Sequence, residues 1–429
     1  MSNNQFTFAG KERMATYIAM AIGALSILIG WFTDSTPHHS QTWTNILHDT
    51  VFFVGIGFIS LFIYSASTTA YGGWWVGFKR IWEAMFGYMM YGGPLFFVLI
   101  IGGLWFGWHH LYHWAEPGVA ETDELIKHKS GFLNKTSITL FTTVILFIWV
   151  FFATKLRSLS LLQDNNADLS IYVSVKKWAA AFLPLGGFSS AFAIWLWLMS
   201  IDPHWFSTMY AWNCTASFLV SAMALTLLII IYLQRQGYML HITKEHQHDL
   251  GKYLFGFSVF WTYLWFSQFM LIWYCNNGEE TTYFKTRMDS FTAVFWLNLL
   301  INFVAPFFIL IRNTAKRQTG IIVFMACLLL FGHWLDFFQM IKPAVWASNM
   351  AGHGAAEHAG AVAEHGAATA EHAASTFMLG FNFPGPVELG TFIGFLGFFV
   401  FIVFRGLAAA PLLAKNDPYY EESVHHHVM

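Results

Sequence analysis

The chain has 429 residues, of which 56% are hydrophobic and only 11% are charged, and its formal net charge at pH 7 is -2. Soluble chains carry about 25% charged residues, so this composition excludes an ordinary soluble globular protein and indicates a membrane protein. The small net charge gives no sign of nucleic-acid binding. The 20 tryptophans and 46 phenylalanines are typical of a protein whose aromatic rings lie at both bilayer interfaces.

Ten apolar runs along the chain are each long enough to cross a bilayer, which takes about 20 mostly apolar residues. They are residues 14–32, 51–70, 84–108, 137–154, 177–199, 211–233, 253–273, 290–311, 320–340 and 388–404. The runs are too long, and alternate too little, for the strands of a β-barrel. The sequence therefore predicts an all-α membrane protein with about ten transmembrane helices.

The positions of Lys and Arg predict how these helices are oriented. With the N-terminus inside, the inside segments carry 16 of these cations and the outside segments carry 6. Because cytoplasmic loops are enriched in Lys and Arg, we expect residues 1–13 and 408–429 in the cytoplasm. Loops 33–50 and 201–210 contain no Lys or Arg and are expected outside. No small-residue cleavage site is apparent, which favours a retained first span over a signal peptide.

Residues 341–386 form the longest predicted outer loop, and residues 351–374 within it are rich in Ala, Gly, His and Glu. Acid–imidazole pairs recur there every seven residues, at Glu357-His358, Glu364-His365 and Glu371-His372. Seven residues make about two helical turns, so the pairs would line one helix face at intervals of about 10.5 Å. That interval is too wide for one metal ion, which favours a solvated polar stripe.

The three cysteines, Cys214, Cys275 and Cys327, lie far apart, with no CxxC or CxxCH motif. The sequence therefore lacks the usual ligand sets for iron–sulfur clusters, structural zinc and covalently attached haem. We expect no metal site. The tail His425–His427 is expected to be a solvated terminus.

Ionisable residues inside a membrane are costly and mark functional candidates. His333 and Asp336 lie about one turn apart in the ninth predicted span, with Gln339 continuing their face, and an imidazole beside a carboxylate can pass a proton. The alternative is a self-satisfied pair that ties helices together. Glu83 is spaced for an interfacial ion pair with Lys79, and its alternative role is the cytoplasmic mouth of a proton path.

Polar residues at the expected outer surface are candidates for quinone or partner contact. His109 and His113 are spaced for one helix face, and plain interfacial histidines are the alternative to quinol contact. Asp202 precedes Pro203 and is expected to cap the next helix, with His204 at the interface. His48 and Asp49 flank the outer start of the second predicted span.

One polar face is also expected within the eighth predicted span. Asn298 and Asn302 lie four residues apart, and uncharged polar residues in spans usually bond to other helices. Pro306 follows Asn302 by four residues and is expected to free its backbone carbonyl and kink the helix.

The segment Ser200-Ile-Asp-Pro-His-Trp-Phe-Ser-Thr-Met-Tyr210, preceded by Phe192-Ala-Ile-Trp-Leu-Trp-Leu-Met199, carries a family resemblance. It resembles the large membrane subunits of bacterial alternative complex III, which are similar to the polysulfide-reductase membrane-anchor (NrfD-like) family. The chain looks more like the second, F-type (ActF-like) subunit. The resemblance implies two four-helix bundles, about 51–199 and 211–340, flanked by the first span and the last span, 387–407.

The resemblance also implies a function and partners. It implies a subunit of a quinol:cytochrome c oxidoreductase in the bacterial inner membrane, using menaquinol or ubiquinol, with no covalently bound cofactor in this chain. The implied partners are a multihaem cytochrome c, an iron–sulfur subunit and a second homologous membrane subunit. The alternative from a different class is a secondary transporter, and a haem b protein would need facing histidines deep in two helices.

Overall fold

The computed structural model describes residues 5–357 and 380–427. Side chains are described throughout these ranges except at residues 347–357. Within these ranges the chain forms helices and turns without a β-strand. Among the described residues, ten helices are long and apolar enough to cross a membrane, which confirms the predicted all-α, multi-pass membrane fold. Numbered spans 1 to 10 in chain order, they are Lys11–Thr33, Pro37–Thr69, Val76–Phe106, Lys135–Asn165, Leu169–Ile201, Thr208–Arg235, Lys244–Cys275, Thr292–Leu310, Thr319–Trp346 and Pro386–Ala408.

Spans 2 and 6 form the centre of the protein. Their most apolar windows are 89% and 83% buried, compared with 17% for span 1. The two helices pack directly on each other, because Gly55 of span 2 leaves room for the ring of Phe218 of span 6. A Cβ added at Gly55 would lie only 2.1 Å from that ring. These two helices therefore face protein along most of their length.

The other spans pack around this centre in two groups. Spans 3 and 5 pack with span 2, and span 4 packs against spans 3 and 5. Spans 7 and 9 pack with span 6, and span 8 packs against spans 7 and 9. Spans 1 and 10 pair with each other and lie against spans 2 and 3. Gln5 bonds to Ala408 and His426 to Asp249, so both chain ends lie at one end of the helices, here called the terminal end. Ser200–Tyr210 lie at the opposite end, here called the motif end.

Several helices extend well beyond the apolar runs that predicted them. Span 2 begins at Pro37 instead of 51, span 4 ends at Asn165 instead of 154, and span 7 begins at Lys244 instead of 253. The extra turns carry polar side chains that contact protein, and such turns lower the local hydropathy without ending the helix. Hydropathy alone therefore placed these boundaries too far into the membrane.

The predicted outer loop 341–386 does not begin as a loop. The helix that contains span 9 runs on to Glu357, so the first part of the predicted loop is helical. Residues 358–379 lie outside the described residues, and with them His358 and the pairs at 364–365 and 371–372. Span 10 begins at Pro386, close to its predicted start.

Glycines allow spans 1 and 10 to pack with their backbones almost in contact. A Cβ added at Gly23 of span 1 would lie 2.4 Å from the Cα of Gly394 of span 10, and the reverse distance is also 2.4 Å. One turn away, a Cβ at Gly390 would lie 1.9 Å from Ser26 Oγ. Small residues at such contacts let membrane helices approach closely and gain van der Waals contact.

Gly394→Ala should therefore force spans 1 and 10 apart and lower the free energy of unfolding by about 1–3 kcal/mol, the usual cost of overpacking. Thermal unfolding of the purified protein in detergent measures this as a lower midpoint. The control is Gly256→Ala, because nothing lies within 4 Å of a Cβ added there. Equal midpoints for the two variants would show that the Gly23–Gly394 contact does not hold the pair together.

Candidate functional site

A buried carboxylate in span 9 is held by three other helices. Asp336 is 2% exposed. Its Oδ2 accepts hydrogen bonds from Ser217 Oγ of span 6 at 2.7 Å and from Trp261 Nε1 of span 7 at 2.9 Å. Its Oδ1 accepts from Asn298 Nδ2 of span 8 at 2.8 Å. We call these four residues the central carboxylate cluster, and its three donors suit an ionised carboxylate, which only accepts hydrogen bonds.

Two further amides extend this cluster along span 8 and span 9. Asn298 Nδ2 also donates to Gln339 Oε1 at 2.9 Å, and Asn302 Nδ2 donates to Asn298 Oδ1 and to the Gly332 carbonyl. Asn302 lies in a π-helical segment, Leu300–Val304, that precedes Pro306. The structure thus brings Asp336 and Gln339 together as predicted, and π-helical turns are frequent at functional sites.

The predicted pairing of His333 with Asp336 is wrong. The His333 ring packs edge-on against Trp261, with centroids 5.6 Å apart, and neither ring nitrogen has a hydrogen-bond partner among the described residues. Residues three apart on a helix can diverge, and here the carboxylate turns toward the donors of spans 6, 7 and 8. His333 therefore reaches the cluster only through Trp261, whose indole contacts both residues.

A second buried carboxylate lies deep in span 2, where the sequence placed only a helix edge. His48 and Asp49 are 2% and 1% exposed. His48 Nε2 donates to the Trp334 carbonyl at 2.9 Å, and Trp334 Nε1 donates to Asp49 Oδ1 at 2.7 Å. Residues 40–50 contain neither Gly nor Pro. That absence was the available signal that the helix continues outward through this polar stretch.

A buried ion pair joins spans 9, 10 and 2 near the motif end. Lys342 Nζ lies 3.2 Å from Glu388 Oε1, and their side chains are 7% and 2% exposed. Gln41 and Asn45 of span 2 donate to the same oxygen at 3.0 and 3.1 Å, and the Gly385 N–H donates to Oε2 at 3.1 Å. Sequence reasoning missed this pair, because 46 residues separate its charges and no local spacing relates them.

The predicted ion pair between Glu83 and Lys79 is also wrong. Glu83 accepts from Arg80 Nη1 and from Ser160 Oγ of span 4, both at 2.5 Å. Lys79 instead contacts Asp417 of the C-terminal segment at 2.7 Å. Adjacent helix residues project about 100° apart, so Lys79 and Arg80 face different neighbours.

Glu83 therefore belongs to a separate cluster at the terminal end. Arg80 bridges it to Asp164 of span 4, and Arg157 Nη1 donates to the Glu83 backbone carbonyl at 3.0 Å. None of these contacts involves the central carboxylate cluster. The four candidates for a proton path thus divide into Asp336 and Gln339 in one cluster, His333 beside it, and Glu83 elsewhere.

His109 and His113 do not share a helix face. The helix ends at Phe106, and Gly107 takes a left-handed conformation with φ 70°, so the i,i+4 geometry is lost. His109 turns inward and its Nε2 donates to the Ile100 carbonyl at 2.8 Å, while His113 lies 3.4 Å from Glu116. Burial lowers the pKa of His109 to about 4, so its ring is neutral at physiological pH.

Polar contacts join the Ser200–Tyr210 segment to the loop between spans 3 and 4. His204 Nε2 lies 2.6 Å from Asp123 Oδ2, and Lys129 Nζ donates to the Pro203 carbonyl at 2.6 Å. Burial acts to raise the pKa of Asp123, but hydrogen bonds from the Ile126 N–H and His204 outweigh it, so the pKa lies below its ordinary value. His204 is therefore a surface contact of this loop.

Asp202 does not cap the next helix. It ends the short 3-10 turn Met199–Ile201, and Ser207 holds the N-cap position of span 6 without a side-chain cap bond. Five residues, 203–207, lie between Asp202 and the first residue of span 6. The predicted cap role is thus wrong, although the helix break before Pro203 is present.

The histidine tail is only partly solvated, contrary to expectation. His426 Nε2 lies 2.6 Å from Asp249 Oδ2 in span 7, whereas His425 is mostly exposed. Ser423 Oγ donates to the Trp74 carbonyl at 2.9 Å and accepts from the Gly77 N–H at 2.9 Å. The C-terminal segment is therefore docked across the terminal end of the helices.

Removing one partner of the buried Lys342–Glu388 pair should be costly. Lys342→Met leaves the Glu388 carboxylate buried without its cation, and we expect the free energy of unfolding to fall by about 3–5 kcal/mol. The double variant Lys342→Met with Glu388→Gln removes both charges and should recover most of this loss. Thermal unfolding in detergent measures both, with the exposed Lys177→Met as the control. A double variant no more stable than the single variant would contradict this account.

Within the described ranges, no group of three or more His, Cys, Asp or Glu side chains is arranged to hold a metal ion. The chain matches no family model and no curated protein. The candidate site is thus defined by its geometry, which is a buried carboxylate with donors from three other membrane-spanning helices.

Proposed function

We propose that this chain is an integral membrane subunit of a respiratory quinol:electron-acceptor oxidoreductase of the alternative complex III type. In this proposal it scaffolds the complex in a bacterial inner membrane and conducts protons through its buried acids. The terminal end would face the cytoplasm, as the distribution of Lys and Arg favours. Electrons would pass from menaquinol or ubiquinol through a multihaem cytochrome c and an iron–sulfur partner, beside a second homologous membrane subunit.

The central carboxylate cluster carries this proposal. A carboxylate at membrane depth costs several kcal/mol to bury, and such residues usually belong to a pathway or site. Ser217, Trp261 and Asn298 stabilise the anion of Asp336, and the same oxygens can accept a proton. The resemblance of residues 192–210 to the membrane subunits of these complexes supports the respiratory assignment.

The other buried acids suggest how protons would enter and leave. Asp49 of span 2 contacts Trp334, which lies two residues before Asp336 on span 9, so an acid of the first group of helices reaches the helix that carries Asp336. Glu83 lies at the terminal end, where a cytoplasmic mouth would be expected. These acids are separate hydrogen-bonded groups, so a complete path needs water or a side-chain movement between them.

Asp336→Asn tests the proton role, since it keeps the shape of the side chain and removes its ability to ionise. In the purified complex in proteoliposomes, we expect proton-coupled quinol oxidation to slow by about a hundredfold, as for the loss of an acid–base group. The exposed Asp289→Asn is the control and should retain full activity. Unchanged turnover and unchanged proton yield in an assembled Asp336→Asn complex would reduce the cluster to a packing role.

Purification of the chain from its native membrane tests the respiratory assignment separately. Multihaem and iron–sulfur subunits should copurify with it in fixed proportion. A chain that isolates alone under mild detergent conditions would contradict membership of such a complex.

A secondary transporter is the alternative, and one observation favours it. Transporters bind solutes where helices of both halves are interrupted. Here span 3 contains Pro94 and the π-helical segment Phe97–Gly102, and span 8 contains Leu300–Val304 and Pro306. Solute flux into proteoliposomes that contain the chain alone would establish this function instead.

A further inference from the structure

A groove of about 660 Å³ opens on the side of the protein between spans 3 and 4. Its size falls within the usual range of small-molecule sites, about 300–1,000 Å³. We call it the lateral groove, and one end of it reaches Lys155 and Ser158. Its apolar walls are formed mainly by Pro94, Phe97, Val98, Leu146, Phe147 and Phe151.

The irregular backbone of span 3 accounts for the groove. Pro94 cannot donate a backbone hydrogen bond, and the π-helical segment Phe97–Gly102 follows it directly. Proline and π-helical turns bend a helix away from a straight neighbour. On either side of the gap the two spans are tied together, by Trp105 Nε1 donating to Thr139 Oγ1 at 2.8 Å and by Arg157 donating to the Glu83 carbonyl.

The hydroxyl groups that line the groove are already satisfied. Thr143, Thr154 and Ser158 each donate to a backbone carbonyl about one turn earlier in span 4, at 2.7, 2.8 and 2.8 Å. The walls thus offer little hydrogen bonding to a polar solute, whose burial there would be unfavourable. A hydrocarbon chain fits such a surface. Val98 and Phe147 are 55% and 68% exposed, so the groove opens toward the lipid.

A cation lies at the terminal end of the groove. Lys155 Nζ is 5.5 Å from the ring centroid of Trp178, and no carboxylate among the described residues pairs with it. The acids of the neighbouring cluster, Glu83 and Asp164, are paired with Arg80. A Lys beside a Trp is typical of the level of lipid headgroups, and the cytoplasmic leaflet is the one rich in anionic lipids.

We propose that the lateral groove binds an anionic phospholipid, with one acyl chain along the apolar wall and the headgroup phosphate against Lys155. The apolar walls favour an acyl chain, and the unpaired cation, Lys155, favours a negatively charged headgroup. The choice of the cytoplasmic leaflet rests on the proposed orientation. The site itself requires neither the respiratory function nor the proton role of Asp336.

Native mass spectrometry of the full chain, with any subunits that stay bound, tests this in nanodiscs of mixed phosphatidylglycerol and phosphatidylcholine. We expect the wild type to retain phosphatidylglycerol about fivefold more often than phosphatidylcholine, which corresponds to about 1 kcal/mol for one Lys near the membrane surface. Lys155→Glu should abolish this preference. Val98→Trp should fill the groove and lower the retention of both lipids.

Two matched controls separate the site from general surface effects. Lys177→Glu changes an exposed Lys toward the terminal end of span 5. Leu140→Trp introduces the same Trp side chain at an exposed position of span 4 outside the groove. Both should retain the wild-type preference. Equal retention of the two lipids by the wild type, an unchanged preference in Lys155→Glu, or retention of a quinone in place of phospholipid would each overturn the proposal.

Discussion

The structure depends on the burial of spans 2 and 6 against each other. Inside a membrane no water is present to satisfy polar groups, so every polar side chain on these two helices needs a protein partner. Their inward position supplies such partners from the surrounding spans. Asp49 on span 2 and Ser217 on span 6 are therefore tolerated at depths where they could not face lipid. Because of this burial, the hydrogen bonds of the polar clusters also hold the helices together.

Span 9 is where the groups of helices meet. Asp336 binds donors from spans 6, 7 and 8, Trp334 contacts His48 and Asp49 of span 2, and Lys342 pairs with Glu388 of span 10. One helix thus carries contacts to both bundles and to the flanking pair. All of these groups contact span 9, so a change in the charge of one of them alters the contacts of that helix. In the proposed function, this would couple protonation to helix packing.

Much of the fold was predictable, and the candidate site was predictable in part. The number of spans follows from local apolar length, and Asp336, Gln339 and Asn298 were found because ionisable or polar residues in an apolar run are conspicuous. The errors share one cause. The pairs His333–Asp336, Lys79–Glu83 and His109–His113 were inferred from spacing along one helix alone. In the structure Asp336 accepts from three other helices, Lys79 pairs with Asp417 of the C-terminal segment while Glu83 pairs with Arg80, and the helix ends before His109.

The sequence by itself determined that the chain is an all-α membrane protein and predicted about ten spans, because apolar length is a property of each segment alone. Only the tertiary structure decided which polar residues are buried together. Lys342 and Glu388, or Asp49 and Trp334, are far apart in the chain and meet because the packing of spans 2, 9 and 10 brings their side chains together. Hydropathy records the cost of a polar side chain facing lipid, and it contains no information on a neighbouring helix that removes that cost.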